Sequence, residues 1–231
     1  LIGPLLGGAM AELLGDRAIF YVTGAFLIMA TIIVLVFVEE KRTPNKINEA
    51  QPAGFKHLMP LMPIFVASTI TQVGLMSIEP IVSIYVKTLY SGSYLALTAG
   101  LVVAASGIAN LFGAPTLGRL GDRIGQRRVL ILALTAASLA YMPQALAPNV
   151  GVLLLGRFLL GLFIGGMIPS LNVLVKKKAP EHLQATAFGF NSSSIHLGNL
   201  IGPLLGSTVA AAYGIKNVFY VTMAVLLLNA L

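Results

Sequence analysis

Four ionisable side chains stand inside long apolar runs of this sequence: Glu12, Glu79, Arg157 and His196. Charge in hydrocarbon is costly and is kept where it pairs, caps or works. Glu79 has the most informative setting. Thr69, Gln72, Met76, Glu79 and Ser83 follow at steps of three, four, three and four, which puts them on one stripe of a helix. Pro80 removes a backbone donor beside Glu79, and irregular backbone at membrane depth is tolerated where it lines a cavity. Lys87 marks the nearer end of the run, so Glu79 is expected about 12 Å inside it at ~1.5 Å per residue. Three uses are open for such a carboxyl. It can exchange protons, pair with a cationic substrate, or make a structural hydrogen bond to another helix.

The other three carry weaker signals. Arg157 stands near the start of its run; with Thr69, Gln72, Met76, Glu79, Ser83, His196 and Asn199 it is a candidate for substrate or proton handling, and a snorkelling guanidinium is the plain alternative. Glu12 lies at the end of a run close to Asp16, where capping or snorkelling is expected. Ser192, His196 and Asn199 share a helix face. Imidazole as a residue type changes charge near neutrality, but a lone His facing a neighbour is more often structural. No Cys is present, and no metal-ligand spacing, nucleophile elbow or paired-carboxylate motif occurs. The reading is that the chain is not an enzyme and holds no metal or organic cofactor.

The composition says what must position these groups. Hydrophobic residues make up 57% of the chain and charged ones 10%, with a mean hydropathy of +0.89. A soluble domain carries about a quarter charged residues. Eight apolar runs are legible: Leu1–Leu14, Ala18–Val38, Leu61–Val86, Tyr94–Leu117, Val129–Leu146, Gly151–Val175, Ala185–Tyr213 and Val218–Leu231. The middle six meet the ~20 residues that a bilayer crossing needs. A transmembrane barrel is excluded, because its strands alternate over only ~10 residues. Residue 1 is Leu and no basic stretch precedes the first run, which is not the form of a secretory signal.

Lys and Arg alternate between loops. One set holds Lys41, Arg42, Lys46 and Lys56, then Arg119, Arg123, Arg127 and Arg128, then Lys176, Lys177 and Lys178; the other holds Arg17, Lys87 and Lys216. The positive-inside rule then places Glu39–His57, Gly118–Arg128 and Lys176–Gln184 in the cytoplasm of a multi-pass protein of the cell membrane. Clusters at every second crossing argue against a nucleic-acid patch and for contact with lipid headgroups.

The heptapeptide LIGPLLG at Leu1–Gly7 returns at Leu200–Gly206. At this offset of 199 residues Gly15 falls on Gly214, and Phe20–Thr23 falls on an identical Phe219–Thr222. Shared apolarity cannot align Gly, Pro, Tyr and Thr over two helices and a turn. This is a long-period duplication, of the parallel kind related by an axis along the membrane normal. Four runs and a linker precede the second copy. The expectation is therefore a chain that starts in the fifth helix of a twelve-helix protein, lacks the first four, and stops inside the twelfth.

The segment Gly118–Arg128, GRLGDRIGQRR, resembles the loop signature of the major facilitator superfamily, G-x-L-A-D-R-x-G-R-R-R/K. Gly118, Asp122, Arg123, Gly125, Arg127 and Arg128 match; Gly121 and Gln126 depart. Gly3, Pro4, Gly7 and Gly8 resemble the end of the fifth-helix signature of drug-exporting antiporters. Gly189, Gly198, Gly202, Pro203 and Gly206 carry that pattern again, with Ser207 in place of its last Gly; Gly198, Gly202 and Gly206 step by four residues and so line one helix face on which a neighbour can pack closely. Arg157 in GRFLLGLFIGG resembles the fourth-helix Arg motif, moved to the counterpart tenth helix.

The resemblance implies an all-α membrane protein, a major facilitator fold fragment of eight transmembrane helices. Residues 1–38 would be the last two helices of an N-terminal bundle, 39–57 a cytoplasmic linker, and 58–231 the six-helix C-terminal bundle. It implies a charge latch around Asp122 and Arg123. The function implied is export of small amphipathic or cationic drugs in exchange for protons by alternating access, by a carrier that works as a monomer when full length. The alternative is a same-fold uptake carrier for a sugar or other small metabolite. Against it stand the Gly-Pro signature and the absence of Trp.

Overall fold

The computed structural model describes residues 3–38 and 55–231, and their regular structure is entirely helical. The helices are α1 (Gly3–Leu14), α2 (Asp16–Phe37), α3 (Met62–Leu89), α4 (Leu95–Ile124), α5 (Gln126–Leu139), α6 (Tyr141–Ala145), α7 (Val150–Lys178), α8 (Gln184–Tyr213) and α9 (Ile215–Ala230). Short 3₁₀ turns at Phe55–Leu61 and Glu181–Leu183 lead into α3 and α8. The greater part of the expected linker, residues 39–54, lies outside the described residues, as do Leu1 and Ile2.

Six helical stretches are long and apolar enough to cross a membrane: Ile19–Phe37, Leu58–Leu89, Leu95–Ile124, Gln126–Ala145, Val150–Lys178 and Glu181–Tyr213. They are the six runs that the sequence marked as full crossings. One differs in form. The run Val129–Leu146 is not a single helix but α5 and α6, parted at Ala140. Pro143 explains the break: it has no N–H for the Leu139 carbonyl, and its ring crowds that carbonyl.

Three glycines with positive φ make the tight turns between successive helices: Gly15 (φ 82°), Gly125 (φ 95°) and Gly214 (φ 88°). Gly15 and Gly214 are duplicate positions. They share ψ 160°, and each falls between the same two helix boundaries, Leu14/Asp16 and Tyr213/Ile215. The duplication is thus visible in backbone geometry.

Two glycine-lined pairs organise the bundle. α8 lies along α3, where a Cβ on Gly198 would come within 2.6 Å of Gln72 Cβ, and one on Gly202 within 2.8 Å of Met76 Cβ. α7 lies along α4 in the same way, with Gly161 against the Ser106 backbone and Gly165 against that of Ala114. Such small-residue seams let helix backbones approach where lipid gives no hydrophobic drive to associate. α9 closes the bundle against α3, α5 and α6, with Phe219 between Tyr85 and Tyr141 at centroid distances of 5.3 and 6.3 Å. α1 rests on α4.

Candidate functional site

Between α3, α4, α6 and α7 lies a cavity of about 200 Å³ lined by Gln72, Met76, Glu79, Asn110, Tyr141 and Arg157 among others. Its centre is an ion pair. Arg157 Nη2 donates to Glu79 Oε1 at 2.9 Å, with the arginine side chain 1% exposed and the glutamate 36%. It is the one salt bridge among the described residues. Arg157 therefore does not snorkel to the membrane surface. α7 starts at Val150, where the Asn149 side chain accepts the Val152 N–H and caps the helix. The close α4–α7 seam then turns Arg157 inward, and its charge is balanced inside the protein instead of at the membrane surface. Of the three uses open for Glu79, pairing with another helix is realised here, while its exposed part faces the cavity.

The polar stripe on α3 divides between partners. Thr69 Oγ1 donates to the Ser194 carbonyl at 3.0 Å, and Gln72 Nε2 donates to Asn199 Oδ1 at 2.7 Å, both on α8. Gln72, Met76 and Glu79 line the central cavity. Ser83 lines a different one, about 390 Å³, with Gly8 of α1 and Ala96, Ala99 and Gly100 of α4. His196 is exposed on α8 and lies 3.5 Å from Asn199 Nδ2. The face it shares with Ser192 and Asn199 therefore meets the cavity lining through the Asn199–Gln72 hydrogen bond. Glu12 caps, but across helices: its Oε1 accepts the Ala96 N–H in the first turn of α4 at 2.9 Å.

The signature segment is mostly helix. Gly118, Asp122 and Arg123 belong to the last two turns of α4; only Gly125 forms the turn, and Arg127 and Arg128 start α5. Gly118 has open space where a side chain would be, whereas a Cβ on Gly121 would run into the Gln126 side-chain amide. Asp122 and Arg123 form no ion pair among the described residues. Buried Gln126 bridges here: its Nε2 lies 3.4 Å from Asp122 Oδ1, and its Oε1 accepts from Ser170 Oγ of α7 at 3.0 Å. Gln126 is one of the two positions where the segment departs from the family signature. In the Gly-Pro signature, Gly198, Gly202 and Gly206 press on α3 and Gly8 on α4, while Gly3, Gly7 and Gly189 meet nothing within 4 Å. Pro203 sits inside a continuous α8, and Pro4 is within α1.

Sequence reasoning missed Tyr141, Gln144, Ser106 and Asn110 around the pair. Tyr141 and Gln144 lie on α6, which the sequence had merged into one long helix. It also missed the glycine seam of α7, although Gly161 and Gly165 show the same four-residue step as the one noted on α8.

Comparison with known proteins agrees with this architecture. Residues 64–231 match the family model described as Major Facilitator Superfamily. Over its full length the chain is 36% identical to the multidrug resistance protein MdtG of Rahnella sp.. It is 37% identical over 99% of its length to MdtG of Proteus mirabilis. Over 96% it is 36% identical to YuxJ of Bacillus subtilis, an uncharacterized MFS-type transporter. The chain spans 57%, 58% and 58% of the lengths of these relatives. A helical bundle with six membrane-length spans, a long-period repeat and the family match over residues 64–231 place this multi-pass membrane protein in the major facilitator superfamily.

Proposed function

We propose that the chain forms helices five to twelve of a carrier that exports small amphipathic or cationic molecules in exchange for protons, by alternating access. In this reading residues 1–38 belong to the N-terminal bundle and 58–231 form the C-terminal one. The basic loops face the cytoplasm, and the full-length carrier works as a monomer in the cell membrane. Protons are the coupling ion, with no other cofactor. The names of the relatives from Rahnella and Proteus support export of drugs.

The observation that carries the reading is the Glu79–Arg157 pair beside a cavity in the bundle. A carboxylate held by one internal cation, and partly open to the cavity, is a place where a proton or a cationic substrate competes with that cation. Such competition gives each ligand a differential affinity for two states, and without that no ligand shifts a conformational equilibrium. Protons entering from outside would neutralise Glu79 and release substrate; loss of the proton inside would restore affinity.

The test is Glu79→Gln in the full-length protein, reconstituted in proteoliposomes under an imposed pH gradient. The variant is expected to insert normally. It should lose proton-driven dye efflux, or lose cationic substrates while sparing neutral ones. Rates, pH dependence and substrate range all equal to wild type would overturn the assignment of Glu79.

A further inference from the structure

The ion pair leaves polar groups behind it unmatched. Three buried side-chain atoms have no hydrogen-bond partner among the described residues: Tyr141 Oη, Gln144 Oε1 and Arg157 Nε. Chemically they are complementary. The guanidinium donates, the amide oxygen accepts and the phenol does either. They also belong to one neighbourhood. Tyr141 and Arg157 line the same cavity. Gln144 Nε2 donates to the carbonyl of Gly156, the residue before Arg157, at 3.2 Å, and Gln144 Cγ occupies the space beside the Gly156 Cα.

Gln144 is held firmly. Its Nε2 also donates to the Ala140 carbonyl at 2.8 Å, and its own backbone carbonyl accepts from the Tyr85 hydroxyl at 3.2 Å. Its free Oε1 is therefore a fixed acceptor. Leaving a buried donor or acceptor unpaired costs its full desolvation. A buried donor and two buried acceptors left unpaired in one neighbourhood are groups that a second arrangement of the guanidinium could bring together.

We propose that the Arg157 guanidinium is a two-position counter-ion: it holds ionised Glu79 in the arrangement seen here, and takes Gln144 Oε1 and Tyr141 Oη as acceptors when a proton or cationic substrate neutralises Glu79. The inference rests on the reading of Glu79 as the coupling carboxyl and adds Tyr141 and Gln144 as positioning residues. In the protonation step one proton binds the Glu79 carboxylate and makes it neutral. The Nη2–H contact to Oε1 then breaks, and the still-cationic guanidinium donates to the amide and phenol oxygens. No proton leaves the arginine.

The other groups around Glu79 do not supply this. α7 offers Arg157 and α6 offers Tyr141, while Ser106 and Asn110 on α4 are uncharged. α8 reaches the cavity through Asn199 bonded to Gln72, with His196 beyond it and exposed.

The experiment follows binding of ethidium, held well below its Kd so that the free carrier is the reference state, to the purified full-length carrier by fluorescence anisotropy across pH. Wild type is expected to lose the dye on acidification about a definite midpoint. Tyr141→Phe and Gln144→Leu each remove one acceptor for the displaced guanidinium, so Glu79 is harder to neutralise. Each should move the midpoint down by about one pH unit, the tenfold change that one charge-assisted hydrogen bond represents. Gln144→Glu adds a negative acceptor and should move it up. This opposite pair of shifts separates a switch from loosened packing. Added to Glu79→Gln, none of the three should shift anything further. If all three midpoints match wild type while Glu79→Gln abolishes the pH dependence, the switch is wrong and the Glu79 reading stands. If Glu79→Gln keeps the full pH dependence, both fall.

Discussion

Phe219 on α9 is 0% exposed, whereas its duplicate Phe20 on α2 is 78% exposed. The same contrast runs along both helices. Val218, Thr222 and Leu226 are buried, while their counterparts Thr23 and Leu27 are open and Ile19 is half-buried. On α9 this face meets α3, α5 and α6, and Thr222 shares a 2.7 Å hydrogen bond with Ser77. On α2 the same letters form a helix of the same start with the same glycine turn before it. Local sequence thus sets helix, boundary and turn in both copies, and neighbours alone set burial. In the carrier proposed above, this face of α2 would meet the counterparts of α3 and α5.

Truncating the two phenylalanines separates these contributions most widely. Phe219→Ala is expected to destabilise the chain by about 3 kcal/mol, the low end of the range for such truncations, because lipid removes much of the transfer contribution and leaves the packing loss. Phe20→Ala should stay within about 0.5 kcal/mol, as exposed positions do. Reversible unfolding in mixed detergent micelles, followed by circular dichroism, measures both. Equal losses would mean that α2 has a packing partner in solution that the comparison leaves out.

What the sequence made legible was local or periodic. Apolar runs located the helices, and the repeat paired α1–α2 with α8–α9 down to the turn at Gly15 and Gly214. The Gly198–Gly202–Gly206 step marked the face that α8 lays on α3. What stayed hidden depended on register between distant segments. Glu79 and Arg157 were both singled out, yet their pairing spans 78 positions. No local pattern gives the rotation of α7 against α3. Arg157 looked like a surface group because its depth was counted along one helix. Tyr141 and Gln144 were hidden by a break at Ala140, although Pro143 was a readable signal for it. Gln126 was noticed only as a departure from a signature, and its link to Ser170 needs α5 and α7 side by side.

The glycines give the next contrast, with opposite signs. A Cβ on Gly206 would run into the Ser77 carbonyl oxygen, whereas one on its duplicate Gly7 meets nothing within 4 Å. Gly206→Ala must push α8 off α3 and should cost about 2 kcal/mol, the range of overpacking a close seam. Gly7→Ala removes a poor helix former from open space and should stabilise, by up to about 1 kcal/mol. The same unfolding assay reads both. A cost at Gly7 equal to that at Gly206 would show that α1 carries a close partner of its own on that face.

At the turns the comparison predicts no difference at all. Gly15 and Gly214 have φ of 82° and 88° with ψ of 160° at both, and neither has a neighbouring atom within 4 Å of where a Cβ would stand. This corner of backbone space is open essentially to glycine alone, and a side chain there costs about 1 to 3 kcal/mol through its own backbone. The strain is internal to the turn, so it does not depend on what α2 or α9 touches. Gly15→Ala and Gly214→Ala should therefore destabilise by the same amount, within about 0.5 kcal/mol, the spread of substitutions without special contacts. If Gly214→Ala cost much more, the closed packing of α9 would be feeding back on the turn, and the division between local design and surroundings would fail at its simplest point. If Gly15→Ala cost nothing, the first turn would be relaxing freely, and the matched geometry of the two copies would reflect shared sequence without shared constraint.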